Sequence, residues 1–484
     1  MKTLRNIPFA DFEQPKPTKE NKDYYGEIYT PLNLIDEMLS SLPSHVFLNP
    51  SLVWFDPAAG PGYFAIVLFK RLFSSLKQVI PNDDVREKHI LENMIYQCEI
   101  NEEHLPSLEQ YFPRSNIIIG DFLTIKNLPF SPDIIIGNPP YNFNGAKKTP
   151  TNQLLSKSSE GKTIWYDFIR SAVNLLSSRE EGYLLYITPL LWLREDNAKI
   201  HQLLFNSKTI DVLKIKTFSN TETNSIFKGE AQTPTCYFTC LVSNNISKNA
   251  YDHLITSVNP SSVIELYDKV KKSYVLYPVF NPLNSIPVQS SSIMAKIVIT
   301  HHERNIPVLS NIIIKTSTPP RSTVFVSDSN FANIHTCLLD GLQPYISYKY
   351  TTTPQKYNGI SKLVLAHKMY GFPYLDLDGQ YGICTRDNYV LTERPDILKF
   401  NYCLLSTPFA RFIFNATRYR MKYLEKQAFE FIADFRNEKK FKRFTPKWSI
   451  ERMSKEIYNF YGFTQDEIIH IERSSRPYYT FYQN

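Results

Sequence analysis

Between about residue 50 and residue 245, short apolar runs alternate with stretches of helical periodicity, and this restricts the chain to very few folds. Strand, helix and strand in succession form the repeating unit of a mostly parallel sheet with helices packed on it. Seven runs qualify as strands: residues 52–55, 95–100, 116–119, 133–136, 183–187, 212–218 and 235–242. A helix is expected after the first run, to about Leu76, with others around residues 164–176 and 195–205. The expected fold class is α/β, a Rossmann-like sheet with helices on both faces.

At 484 residues and 43% hydrophobic content the chain can build two or three domains with cores of their own. Residues 1–20 carry charges and three prolines, and no apolar run is long enough to cross a bilayer, so membrane and secretory classes are set aside. Six cysteines occur without a CxxC pair, which fits reduced thiols in a cytoplasmic setting, whether the source is a cell or a virus. A net charge of +7 is compatible with a polyanionic partner and identifies none.

The strand at residues 133–136 ends abruptly in Gly137-Asn138-Pro139-Pro140-Tyr141. Pro139 has no N–H, and Pro140 restricts its predecessor to extended backbone, so the carbonyls here are stiff and cannot all be consumed by a ladder. One such carbonyl and the Asn138 amide oxygen can accept both hydrogens of an NH2 group. Tyr141 follows at once and can stack on a flat ring that bears the amine.

The first strand runs into Asp56-Pro57-Ala58-Ala59-Gly60-Pro61-Gly62-Tyr63-Phe64, a glycine turn from strand to helix, where open α/β sheets hold a cofactor. Asp56 can accept from a ligand ammonium or order the loop's amides. Glu99 ends the next strand and can accept from ribose hydroxyls; a solvated strand end is the other reading. Asp121, with Phe122, follows the third strand and can take an adenine amino group or simply form the turn.

Taken in order, these segments resemble S-adenosylmethionine-dependent amino-methyltransferases, more narrowly the γ-type N6-adenine DNA methyltransferases, over about residues 24–245. The resemblance implies a cofactor site made by Thr30, Asp56, Ala58, Gly60, Gly62, Phe64, Glu99, Asp121 and Phe122. Thr30 belongs to the leading Tyr29-Thr30-Pro31 segment, which in that family folds against the methionine end of S-adenosylmethionine. It implies a catalytic set of Asn138, Pro139, Pro140 and Tyr141, with Phe227 as a second aromatic for the target base; Phe218 and Tyr237 lie close by. The implied activity is adenine-N6 methylation of double-stranded DNA at one site, as an orphan enzyme or as the modification component beside a separate restriction endonuclease. RNA adenine and protein glutamine remain alternative substrates, because their methyltransferases resemble the chain at the same motif.

The expected domains are residues 1–245 for catalysis, 246–292 as a connector where Asn, Ser, Pro and Tyr become frequent, and 293–484 as a mixed α+β target-recognition domain. In the last, residues 312–315, 323–326, 363–366 and 381–384 look like strands and 402–423 like one helix. Arg411, Arg418, Arg420, Lys422, Lys426, Arg436, Lys439, Lys440, Lys442, Arg443 and Lys447 outnumber the acids around them and suggest phosphate contact; a solvated basic face is the plain alternative. Adjacent His301 and His302 rarely converge on one ion, so no metal is assigned. An aromatic tail at residues 477–482 stands without a role.

Overall fold

The computed structural model describes residues 4–8, 12, 16–143, 162–244, 260–340, 343–367, 373–420, 423–438, 441 and 448–475. The chain divides into two compact units, Met1–Leu254 with Ser261–Tyr267, and Ile255–Pro260 with Asp268–Asn484. Among the described residues no helix is long and apolar enough to cross a membrane.

Among the described residues the first unit contributes eight strands to an α/β sheet. They are β1 (Trp54–Asp56), β2 (Ile95–Glu99), β3 (Ile117–Ile119), β4 (Ile134–Gly137), β5 (Gly182–Pro189), β6 (Ile210–Phe218), β7 (Thr235–Val242) and β8 (Ser262–Asp268). Their spatial order is β8-β6-β7-β5-β4-β1-β2-β3. Strand β7 is antiparallel to β5 and β6, while β1 to β5 run parallel, so β1, β2, β3 and β4 all end on the same edge. All seven expected strands are therefore present, and β8 adds to them.

Among the described residues this unit has eight α-helices: α1 (Lys19–Tyr25), α2 (Leu32–Leu39), α3 (Tyr63–Ser75), α4 (Asp83–His89), α5 (Leu105–Glu109), α6 (Trp165–Leu176), α7 (Ile200–Phe205) and α8 (Asn220–Ile226). Strand residues alternate between the two faces. Trp54, Ile134, Ile136, Leu185 and Tyr237 face a core shared with α2 and α3. Phe55 faces the other way and meets Phe122, whose ring lies 5.4 Å from Phe168 on α6. Helix α6 buries Trp165, Phe168, Ile169, Ala172, Val173 and Leu176, one stripe at helical spacing. Helix α7 is shorter than the 195–205 expected: Asp196 Oδ1 accepts from Ala198 N in a turn, and Lys199 takes φ of 55° before the helix starts.

Residues 246–292, expected as a connector, carry β8 and then a strand of the second unit, Ser273–Val279, and a helix begins at Ser291. Residues 245–259 lie outside those described. The second unit also holds two four-stranded sheets. One orders Ile314–Lys315, Asn388–Leu391, Lys362–Ala366 and Tyr374–Asp376; the other is built on the long hairpin Phe331–Asp340 and Gln343–Thr351. The single helix expected over 402–423 is two, Pro395–Leu405 and Pro408–Ala416, because Pro408 cannot continue the first and instead opens the second behind a Thr407 cap.

His301 and His302 sit at the end of helix Ser291–Glu303, not in a turn. They diverge: His301 Nε2 lies 2.6 Å from the Tyr461 hydroxyl, with burial pushing its pKa down to about 3, while His302 stacks on Phe280. The expected basic run is also thinner than its composition. Arg411 is 5% exposed inside its helix, Arg436 is held by Asp434 and Glu393, and Arg420 pairs with Glu425. Lys426 is exposed. Lys422, Lys439, Lys440, Lys442, Arg443, Lys447 and the aromatic tail lie outside the described residues.

Candidate active site

Because β1 to β4 are parallel, the residues that end them meet along one edge of the sheet, where open α/β folds bind ligands. A cavity of about 710 Å³ occupies this edge. Its walls come from Thr30 and the segment before it, the loop after β1, Glu99, Asp121 and Phe122, the Asn138–Tyr141 turn, and the Asp167 side of α6. Of the nine residues expected to hold a cofactor, Thr30, Ala58, Gly60, Phe64, Glu99, Asp121 and Phe122 line it; Asp56 and Gly62 lie behind the wall.

The loop after β1 is tied down by acceptors around it. Ala59 N donates to Cys98 O, and Gly60 N donates to Glu99 Oε2 at 2.6 Å. Gly62 turns the chain into α3 at φ of 88°, and a Cβ there would meet Leu108 Cδ2 at 2.9 Å, so this glycine serves close packing under the loop. Glu99 is 6% exposed, not a solvated strand end. Its Oε1 accepts from Asn101 N, and burial holds its pKa above the usual carboxylate range despite both backbone N–H groups.

Asp56 is 2% exposed. Its Oδ1 accepts from Ala58 N at 3.1 Å, so it orders the loop's amides; its Oδ2 is buried without a partner. Burial pushes its pKa up to about 8, the Ala58 N–H opposes the shift, and Glu99 adds to it. Gly137, at the end of β4, allows this approach: a Cβ there would stand 2.8 Å from Asp56 Oδ1. The Tyr186 hydroxyl is also buried and without a partner; burial pushes its pKa up, and the Asp56 carboxyl adds to the shift. Asp121 is a turn-former in part, since its Oδ1 accepts from Leu123 N.

Asn138 is the most specific feature. Its Nδ2 donates to Ile28 O and to Thr30 Oγ1, both at 3.1 Å, and its Oδ1 is buried with no partner. Pro139, Pro140 and Tyr141 line the cavity beside it. Phe227 does not. It ends α8, which a Ser219–Glu222 capping box fixes, and it is 3% exposed in the core shared with α2 and α3. Phe218 and Tyr237 are buried in the same core. Phe143 is among the aromatic residues that do line the cavity, 5.5 Å ring to ring from Tyr24.

One cluster on the wall was not expected. Glu27 Oε1 accepts from Asn101 Nδ2 at 2.8 Å and pairs with His104 Nε2 at 3.0 Å, and Glu27 Oε2 accepts from the Tyr29 hydroxyl at 2.9 Å. Burial opposes the charge on Glu27, but the bonds from His104 and Asn101 hold its pKa below the usual value; His104 is raised in turn, its Glu27 bond outweighing burial. Glu27, Glu99 and His104 bring one ligand atom each within 4.8 Å of one another. Both Glu27 oxygens are already committed to protein donors, so the cluster reads as a hydrogen-bonded brace.

Comparison with known proteins bears on the same region. Residues 69–225 match the family model "Eco57I restriction-modification methylase", a span that starts just after the β1 loop and contains Asn138 to Tyr141. The chain is 22% identical to an "uncharacterized adenine-specific methylase" of Mycoplasma pneumoniae, over 44% of this chain and 66% of that protein, just under two thirds of its length. Among solved structures it is similar to the DNA complex of the Type IIL restriction-modification enzyme MmeI (12% identity, 97% of this chain and 80% of that one, TM-score 0.46). It is similar also to the M protein of the Type I restriction enzyme EcoKI (16% identity, 49% and 48%, TM-score 0.34).

Proposed function

From the methylase family match over residues 69–225, we propose that the chain is a site-specific DNA methyltransferase. It transfers a methyl group from S-adenosylmethionine to the N6 amine of an adenine turned out of duplex DNA. The observation that carries the reading is the Asn138 amide, in a residue that lines the cavity, whose NH2 is spent on Ile28 and Thr30 while its Oδ1 is left buried and unpaired. A buried acceptor without a partner is costly, and an amine hydrogen would satisfy it.

The residues present fit the cofactor. The loop after β1 lines the cavity at the start of α3, Glu99 stands where ribose hydroxyls would come, and Asp121 and Phe122 stand where an adenine ring would lie. When bound, S-adenosylmethionine supplies a methyl group already activated by its sulfonium. The chain's own task is to hold the amine in line with that methyl group, so that proximity carries much of the rate. An adenine amine is a poor nucleophile while its lone pair is delocalised into the ring. Asn138 Oδ1 and the Pro139 carbonyl each accept one amine hydrogen in positions that favour a pyramidal nitrogen, and the proton is lost to water after transfer. Turning the nucleotide out by ~180° costs several kcal/mol of stacking, offset by roughly 1–3 kcal/mol for each aromatic face that takes the base. We assign this to Tyr141 and Phe143, which line the cavity, in place of Phe227, which does not.

We assign the residues from 293 to 484 to target recognition, and the chain to a modification or orphan role beside a separate endonuclease, working in the cytoplasm. The test is modification-sensitive single-molecule sequencing of DNA from a methylation-free host that expresses the chain or its Asn138→Ala variant. N6-methyladenine in one short motif, only with the intact chain, is the expected result. Unmodified DNA with cofactor still bound would move the substrate to RNA adenine or a protein glutamine, whose amines the same acceptors would fit.

A further inference from the structure

We propose that Thr30 is a positioning residue for Asn138: its hydroxyl and the Ile28 carbonyl take the two hydrogens of the Asn138 NH2 and so fix the direction in which the amide presents Oδ1. This rests on the reading of Asn138 as the acceptor of the target amine, and it assigns Thr30 to the amine instead of to the cofactor.

The geometry fixes two separate things. The Ile28 carbonyl can only accept, so it decides which end of the amide faces it; a flipped amide would set Oδ1 against that carbonyl, oxygen to oxygen, at about the present 3.1 Å. One bond leaves the amide plane free to pivot. The second, from the other NH2 hydrogen to Thr30 Oγ1, removes the pivot. Thr30 is 3% exposed, so water does not compete for the hydroxyl. Asn138 then offers an acceptor and no donor at this point. An exocyclic amine is admitted there and a ring carbonyl is repelled, which makes the Thr30–Asn138 pair a selector of amino over keto bases.

Thr30→Val keeps nearly the same shape and removes the acceptor; Thr30→Ser keeps the acceptor. In the full-length chain, Thr30→Val is expected to lower kcat for DNA methylation at saturating cofactor about ten- to hundredfold, the scale of a misaligned reacting group. S-adenosylmethionine Kd, measured by calorimetry, is expected to change less than about threefold, and Thr30→Ser to restore most of kcat. A Kd that rises by more than kcat falls would overturn the proposal and return Thr30 to the cofactor, and so would an unchanged kcat. The second readout needs no activity: the side-chain 15N resonance of Asn138, identified by its loss in Asn138→Ala, should shift and lose protection from exchange in Thr30→Val but not in Thr30→Ser. A resonance unmoved by Thr30→Val refutes the positioning role. A wild-type chain that leaves DNA unmodified counts against the DNA reading alone, and this resonance still decides the role of Thr30.

Discussion

Replacing Asp56 with asparagine should stabilise the cofactor-free chain, and the gain should grow with pH. Asp56 is 2% exposed, one of its oxygens has no partner, and its pKa is pushed up from 3.8 to about 8 by burial. The sign follows from proton counting. Between those two values the folded chain keeps a proton that the unfolded chain has lost, so stability falls as pH rises, by about 1.4 kcal/mol per pH unit. Over the two units from about pH 5 to pH 7 keeping that proton on Asp56 thus costs about 3 kcal/mol, an upper limit because relaxation around the carboxyl reduces it. An asparagine of the same shape keeps an oxygen for Ala58 N and carries no charge. Urea unfolding followed by tryptophan fluorescence at pH 5, 6, 7 and 8 should show the difference between variant and wild type widening at each step. A constant difference would refute the reasoning, because the carboxyl would then be ionised throughout. The same proton links to ligand: a cationic cofactor should bind the wild type more tightly as pH rises toward about 8, and Asp56→Asn should lose that dependence.

Asn138→Ala should abolish transfer while leaving S-adenosylmethionine affinity within about threefold by calorimetry, since one buried amide is removed from the amine side only; a preserved rate would end the amine-holding role. Phe227→Ala should cost about 3–5 kcal/mol of stability as a core truncation, read from the urea midpoint; a variant of normal stability that fails only in transfer would return Phe227 to the target base. The Glu27–His104 pair should support stability best in the window between their two pKa values. The Glu27 share is lost as pH falls through its lowered value, and the His104 share is present below about pH 6.5 and lost as pH rises through its raised value. His104→Ala should flatten the alkaline side of a profile of urea midpoint against pH, and an unchanged profile would show that the pair carries no net stability.

The strands β1 to β7 were legible because each is short, apolar and bounded by turn residues. Strand β8 and Ser273–Val279 were not, since tyrosine, serine and charge interrupt their apolar positions and the stretch resembles a loop by composition. Helix α7 was overextended because the pattern at 195–205 carries no sign of the Asp196 turn or of the left-handed Lys199. At the site, residues at strand ends could be read, because a parallel sheet forces Asp56, Glu99 and Asn138 to one edge. What fixes Glu27 and Thr30 is tertiary: their partners Asn101, His104 and Asn138 lie 74, 77 and 108 residues away. Phe227 failed for the converse reason, as its burial is set by a capped helix packed under the sheet, which spacing alone does not reveal.

The segment 27–30 shows how one short piece of chain can serve both halves of the cavity. It is neither helix nor strand by its bonding. Glu27 and Tyr29 join through Glu27 Oε2, and Glu27 Oε1 reaches the residues after β2, next to Glu99. Ile28, through its carbonyl, and Thr30, through its hydroxyl, serve Asn138 after β4. Four residues thus brace one wall of the cavity with Glu27 and Tyr29 and hold the Asn138 amide with Ile28 and Thr30. A disturbance that pulls this segment off the β2 end should therefore also turn the Asn138 amide. The two sides of the cavity are thereby coupled through backbone.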